Sequence, residues 1–334
     1  MSRIAILGGG SWGTGLAVVL ANSRRKHEIR LWVRASTLAD SIERDRENKK
    51  YLPGIPIPPN VKASSNLENS VRDAQIVVGA VPSAHTRSIF ALALPHLSRD
   101  AAFVSATKGL EPATHLRMSE VISQVINARF VARVSILSGP SFAAEAAQGH
   151  PTAVVLASQD AAHGTFLQEE FSGPTFRLYT NDDVLGVELA GAMKNVMAIA
   201  AGACQGLGLG ANSLAALITR GLAEMTRLAI ALGGKPETLS GLAGMGDLIL
   251  TCYGAQSRNR RVGFELGQGR SLTEILAGMT MVAEGVGTTA ALLALSNEHR
   301  LDLPITQQVH SILHLGNSPR EAIRAIMERP LKRE

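Results

Sequence analysis

Short apolar runs recur through the first half of the chain, and most are followed by a stretch whose apolar residues return every three or four positions. The runs are Arg3–Leu7, Ile29–Val33, Ile76–Val81, Ala102–Ala106, Val134–Leu137, Ala153–Ala157 and Phe176–Tyr179. Several are apolar throughout, as strands of a parallel sheet covered on both faces are. Ser83–Leu94 and Leu116–Ala128 lie between them and are amphipathic. This alternation predicts an α/β architecture with a doubly wound parallel sheet. Pro53, Pro56, Pro58 and Pro59 predict a rigid irregular connection ahead of the third run.

The pattern changes near Thr180. Beyond it no convincing strand appears, and Ala/Leu/Gly-rich helical stretches follow at Asp183–Cys204, Ser213–Leu232, Leu239–Thr251, Leu272–Ala277 and Thr288–Asn297. Asn181-Asp182-Asp183 is a helix-start signal. The boundary is therefore expected at about residue 181, with a sheet domain over 1–181 and an all-helical domain over 182–334. Val184–Ala203 is the most apolar later stretch, but Glu188 and Lys194 argue against a membrane span.

Composition narrows the classes. Of 334 residues, 46% are hydrophobic and 18% charged, which describes a globular protein rather than a disordered one. With 32 glycines and only 4% aromatics, helices are expected to pack through small residues and close backbone approaches. The net charge of +5 is not gathered into a Lys/Arg run, and few aromatics are present to stack on bases, so no nucleic-acid partner is expected. A modest positive excess suits anionic small molecules equally well. Cys204 and Cys252 form neither a disulfide framework nor a zinc site by themselves, and a reducing cytoplasm fits. The N-terminus enters a strand directly and does not read as a signal peptide.

The first run ends in Gly8-Gly9-Gly10-Ser11-Trp12-Gly13, and a helical pattern follows. Gly8, Gly10 and Gly13 have the spacing of a dinucleotide-binding turn. One glycine permits the turn, the next admits the pyrophosphate to the backbone, and the third lets helix and strand pack closely. The free N–H groups of the helix start then face the phosphates. The Rossmann-like reading rests on this loop sitting after a strand and before a helix. At the end of the second run stands Arg34, about 20 residues beyond Gly13, where an acidic residue would select NAD. An arginine pairs instead with the 2′-phosphate of NADP, so NADPH is favoured and NAD tolerated. A solvated arginine, or one stacked on adenine, remains open. Trp12 reads equally as a cofactor cover or as packed core.

Ligands in open α/β sheets bind beyond the carboxyl ends of the strands. Val81-Pro82-Ser83, Thr107-Lys108-Gly109 and Ser138-Gly139-Pro140-Ser141 occupy such ends. Lys108 would bring an ammonium to the crevice, or would be a snorkelling surface lysine; Ser141 borders an anion-friendly helix start, or is a plain N-cap. In the helical half, Lys194 lies in an apolar helix and must find a partner or a task. It is a candidate acid for protonating a developing alkoxide, or one half of a salt bridge. Asp247 follows a glycine-rich approach and is either an N-cap or a carboxylate aimed at the site. Ser257, Arg258 and Asn259 form a donor cluster suited to a phosphate dianion, or a basic surface turn.

Taken in order, these segments resemble the bacterial type of NAD(P)-dependent glycerol-3-phosphate dehydrogenase. The resemblance covers nearly the whole chain. It is carried by Gly8–Gly13, Lys108-Gly109-Leu110, Ser138–Glu145, Glu188–Val196 with Lys194-Asn195, Gly210–Asn212, Thr219–Leu222, Gly241–Asp247, Ser257–Asn259 and Val282–Gly285. It implies reduction of dihydroxyacetone phosphate to sn-glycerol 3-phosphate, a phospholipid precursor, with no metal. It also implies that Lys194 is the acid–base residue, that Lys108 touches substrate and cofactor, and that Asp247 holds the substrate side and orients Lys194. Gly139, Ser141, Asn195, Ser257, Arg258 and Asn259 match substrate positions. Ser11, Trp12, Arg34, Ala143, Arg258, Val282 and Glu284, with the loop glycines, match cofactor positions. Gly15, where the family usually has alanine, is a variation that changes packing only.

Two other readings compete. A β-hydroxyacid dehydrogenase shares the glycine loop and a helical lysine but handles a carboxylate. A non-catalytic dinucleotide redox sensor needs the loop but neither Lys194 nor Asp247. A homodimer is compatible with the apolar helical half.

Overall fold

The computed structural model describes residues 2–331 and 333. The chain divides into two compact units, residues 1–111 with 116–188, and residues 112–115 with 189–334.

Among its described residues the first unit holds ten strands: β1 Arg3–Leu7, β2 Glu28–Trp32, β3 Glu47–Asn48, β4 Leu52–Pro56, β5 Val61–Ser64, β6 Ile76–Gly79, β7 Ala102–Ser105, β8 Val134–Ser138, β9 Thr152–Ala157 and β10 Phe176–Asn181. Eight form one sheet in the order β10-β9-β8-β7-β6-β1-β2-β5. Residues alternate between two cores. Ile4 and Ile6 of β1 join one cluster with Leu16, Ile42, Leu167 and Phe171. Ala5 and Leu7 join the other with Phe90, Ile122 and Ile126. Helices therefore cover both faces, which is why the strands read as continuous apolar runs. The chain runs outward from β1 through β2 to β5, then returns to the other side of β1 with β6. The switch point lies between β1 and β6, where open α/β sheets bind ligands.

Three features differ from the sequence expectation. β8 pairs with β9 antiparallel, so the sheet is parallel-dominated rather than wholly parallel. β5 was not anticipated; its sequence, VKAS, is short and half polar. The proline segment is not merely an irregular connection, because Leu52–Pro56 pairs antiparallel with Glu47–Asn48. Pro53 and Pro56 are tolerated there because a two-stranded ribbon leaves outward N–H positions unpaired.

The second unit is helical. The helix Val184–Gly206 is, among the described residues, the one long and apolar enough to cross a membrane, and 94% of its most apolar window is buried inside the protein. Its packing is built on glycine. A Cβ at Gly202 would lie 1.9 Å from the Arg260 carbonyl oxygen, and one at Gly263 would lie 1.9 Å from that of Ile199. Gly206 and Gly267 make the same kind of approach one turn on, so the helix Arg258–Gly267 is held backbone to backbone against Val184–Gly206. The single helix expected over Leu239–Thr251 is instead a short helix Pro236–Ser240, a π-turn Leu242–Gly246 and a helix Asp247–Tyr253. Arg258–Gly267, Pro304–His314 and Pro319–Met327 are helices that the apolar pattern had not marked.

Candidate active site

The glycine loop closes the end of β1. Gly8 has φ +127°, and a Cβ there would lie 2.6 Å from the Ala80 carbonyl oxygen at the end of β6. A Cβ at Gly13 would lie 1.9 Å from the Gly8 carbonyl oxygen, so the helix Ser11–Ala21 can start this close to the strand only with glycine there. At Gly10 a Cβ would meet nothing within 4 Å, leaving space over the helix start. Beside it the Trp12 indole N–H is buried without a hydrogen-bond partner, although the ring packs on the core. An open cradle over a helix N-terminus and an unspent donor fit an anionic dinucleotide. Ala143 packs on the same helix. A Cβ at Gly15 would lie 2.9 Å from its carbonyl oxygen, so the variation at Gly15 is one of packing. Arg34 is exposed just past β2.

Three other residues singled out in the first unit come together. Lys108 Nζ donates to the Gly139 carbonyl oxygen at 3.0 Å, and the Ser141 hydroxyl donates to the same oxygen at 3.0 Å. Gly139 has φ +123°, a conformation that favours glycine. Ser141 is not an N-cap, since the helix begins at Ala143 with Phe142 as its cap.

In the second unit Lys194 is only 6% exposed and Asp247 fully buried. The Lys194 ammonium donates to Asp247 Oδ1 through a short contact and to Thr251 Oγ1 at 2.9 Å. The Thr251 hydroxyl in turn donates to the Asp247 carbonyl oxygen at 2.6 Å. Asp247 is thus the partner of Lys194 and not an N-cap; Gly246 takes the cap position in a helical conformation. Thr251 escaped the sequence reading, although its signal was present: it lies one helical turn after Asp247 on the same face. A buried lysine held by a carboxylate and a hydroxyl is oriented for proton transfer and for stabilising an oxyanion.

Cys252 lies beside this pair. Burial pushes its thiol up to about 12, against the pull of the Lys194 charge. Burial also raises the Cys204 thiol. At pH 8 Cys252 should carry about a thousandfold less thiolate than an ordinary cysteine. Native protein should therefore resist iodoacetamide at both positions and label only after denaturation. Rapid labelling of native Cys252 would contradict its burial.

The Ser257–Asn259 cluster opens a helix rather than forming a surface turn. Ser257 caps it by accepting from Arg260 N. Asn259 Oδ1 accepts from Gly285 N at 2.9 Å, and a Cβ at Gly285 would sit 2.8 Å from the Asn195 carbonyl oxygen. Gly285 thus draws the Lys194-Asn195 and Arg258-Asn259 segments together. Arg258 Nη1 donates to the Val282 carbonyl oxygen at 2.8 Å. Burial lowers the Arg258 pKa, and the Glu284 carboxylate opposes that shift. Among the described residues no cluster of His, Cys, Asp or Glu could hold a metal ion.

A sheet of this order, with a glycine loop at its switch point, defines a dinucleotide-binding fold. Comparison with known proteins narrows it. Residues 3–164 match the family model described as the NAD-dependent glycerol-3-phosphate dehydrogenase N-terminus, and residues 183–324 match the corresponding C-terminus. The chain is 55% identical over 331 residues to a glycerol-3-phosphate dehydrogenase [NAD(P)+] of Koribacter versatilis, covering 99% of this chain and 98% of the relative. Among solved structures, a glycerol-3-phosphate dehydrogenase from Coxiella burnetii superposes with a TM-score of 0.93 at 42% identity, covering 98% of this chain and 99% of that one. The yeast enzyme superposes at 0.81 with 27% identity, covering 98% and 99%. The chain belongs to the NAD-dependent glycerol-3-phosphate dehydrogenase family.

Proposed function

We propose that this enzyme reversibly reduces dihydroxyacetone phosphate to sn-glycerol 3-phosphate and supplies glycerophospholipid synthesis. The observation that carries the reading is the buried Lys194–Asp247–Thr251 arrangement in a chain of this family. Residues 1–181 serve as the dinucleotide-binding domain and 182–334 as the substrate and catalytic domain. A nicotinamide dinucleotide, when bound, would supply the hydride. Lys194, as an ammonium held by Asp247, stabilises the developing alkoxide and gives it a proton. Asp247 acts through Lys194, with Thr251 fixing the ammonium's position. Arg258, with Ser257, Asn259 and Asn195, takes the phosphate end of the substrate; Lys108, Gly139 and Ser141 match substrate-binding positions of the family. Gly8, Gly10, Ser11, Trp12, Gly13 and Ala143 border the cofactor, and Val282 and Glu284 match cofactor-binding positions of the family. Arg34 favours NADPH over NADH, because no carboxylate stands at that strand end to hold a free ribose hydroxyl. We place the enzyme in the cytoplasm, in keeping with two unpaired cysteines, and expect a homodimer.

Following NADPH absorbance during incubation with dihydroxyacetone phosphate tests the reading. Fast oxidation is expected, and faster with NADPH than with NADH at low concentration. Rapid turnover of a β-hydroxyacid instead, or binding without turnover, would overturn it. Arg258→Ala should raise the KM for dihydroxyacetone phosphate about ten- to hundredfold, the loss of about 1.5–3 kcal/mol from one hydrogen-bonded charge. An unchanged KM would remove Arg258 from the phosphate site.

A further inference from the structure

The hairpin β3–β4 reaches back to the glycine loop through one side chain. Asn48 is fully buried. Its amide nitrogen donates to the Gly9 carbonyl oxygen at 2.9 Å and to Thr14 Oγ1 at 2.8 Å. Its own oxygen accepts from Tyr51 N at 3.2 Å. Both amide hydrogens are thus spent on the loop and the helix that follows it, and the oxygen is spent on the hairpin's own turn.

The target of the first bond gives it meaning. The Gly9 carbonyl and the Gly10 N–H belong to one peptide unit, and in a trans peptide they point in opposite directions. Drawing the Gly9 oxygen to Asn48 turns the Gly10 N–H away from Asn48, and beside that peptide a Cβ at Gly10 would meet nothing within 4 Å. No glycine in the loop has a side chain to hold that orientation, and glycine peptides rotate more freely than others. A buried amide that fixes the carbonyl removes this freedom before any ligand arrives.

We propose that Asn48 is a positioning residue for dinucleotide binding: it sets the Gly9–Gly10 peptide so that the Gly10 N–H faces the pyrophosphate, and it ties the hairpin β3–β4 to the cofactor loop. Aspartate is the informative replacement. It keeps the shape and the acceptor toward Tyr51 but presents an oxygen, without a hydrogen, to the Gly9 carbonyl. The proposal rests on the dehydrogenase reading, and the wild-type protein separates the two: wild type that binds no NADPH overturns both.

The test compares Kd values for NADPH and for adenosine 2′-monophosphate, which lacks the pyrophosphate, in wild type, N48D and N48A. The NADPH Kd should rise at least tenfold in both variants, and more in N48D. The adenosine 2′-monophosphate Kd should stay within twofold, as should kcat at saturating NADPH and the KM for dihydroxyacetone phosphate. An NADPH Kd unchanged in a folded variant overturns the proposal. So does an equal weakening of both nucleotides, which would make the hairpin a general support for the adenosine side. If neither variant folds, Thr14→Val removes one of the two acceptors at similar volume. Its NADPH Kd should rise about threefold with the other nucleotide unaffected, and no rise overturns the anchor.

Discussion

Lys194→Met enzyme should turn over about 10²- to 10⁴-fold more slowly than wild type, the contribution expected of a positioned acid, while its Kd for NADPH stays unchanged. Lys194 is buried at 6% exposure against a fully buried Asp247, so the replacement has two effects. It removes the proton donor, and it removes a cation from a buried carboxylate. The second effect alone costs about 3–5 kcal/mol of stability when one partner of such a pair is deleted. A second variant, K194M/D247N, separates them. Replacing both charges with neutral groups of similar volume should recover most of the lost melting temperature, because a matched neutral pair is often no less stable than a buried ion pair. Turnover should remain low in the double variant. A folded K194M enzyme with kcat within tenfold of wild type would remove Lys194 from the chemistry.

The strands nearest the switch point were legible because a strand buried on both faces needs an apolar side chain at every position. Ile4-Ala5-Ile6-Leu7 divides itself between two cores. That signal reports burial and carries no direction, so the antiparallel setting of β9 was invisible in Ala153–Ala157. At the sheet edge the requirement lapses, and Val61–Ser64 could be a strand with lysine and serine in it. Glycines explain the broken helix after Leu239. A Cβ at Gly244 would lie 2.0 Å from the Leu239 carbonyl oxygen, a close approach that a π-turn accommodates and apolar periodicity does not announce. The helix Arg258–Gly267 escaped because its first turn is polar and charged, and its closest approach to Val184–Gly206 is made through Gly263 and Gly267, which carry no hydrophobic signal. The glycine loop was readable locally, since Gly8 and Gly13 answer local steric demands and Gly10 leaves the space over the helix start open. The Lys194–Asp247 pair was not, since the two residues come from separate helices and nothing near either names the other. Both stood equally open as structural residues until the resemblance paired them.

The largest expected effect on cofactor binding comes from Gly13. A Cβ built there lies 1.9 Å from the Gly8 carbonyl oxygen and 3.1 Å from its carbonyl carbon. The obstacle is backbone, held between β2 and β6 by the Gly8 N–H bond to the Trp32 carbonyl and the Ala80 N–H bond to the Leu7 carbonyl. It has no rotamer to change, so Gly13→Ala must shift the helix start or the loop itself. Overpacking of this kind typically costs about 1–3 kcal/mol, and any shift also moves the N–H groups that are to meet the phosphates. Gly13→Ala should therefore lower the melting temperature and raise the NADPH Kd by about a hundredfold or more. Gly10→Ala provides the contrast. Its Cβ meets no protein atom within 4 Å and its backbone has an ordinary φ of −74°, so the melting temperature should hold. Yet the methyl group would stand where the pyrophosphate approaches, and the NADPH Kd should still rise at least tenfold. Thermal melts and NADPH titrations of the two variants decide the point. If Gly10→Ala binds NADPH as wild type does, the space over the helix start is not where the dinucleotide lies, and if Gly13→Ala melts and binds normally, the strand-to-helix turn is looser than its contacts require.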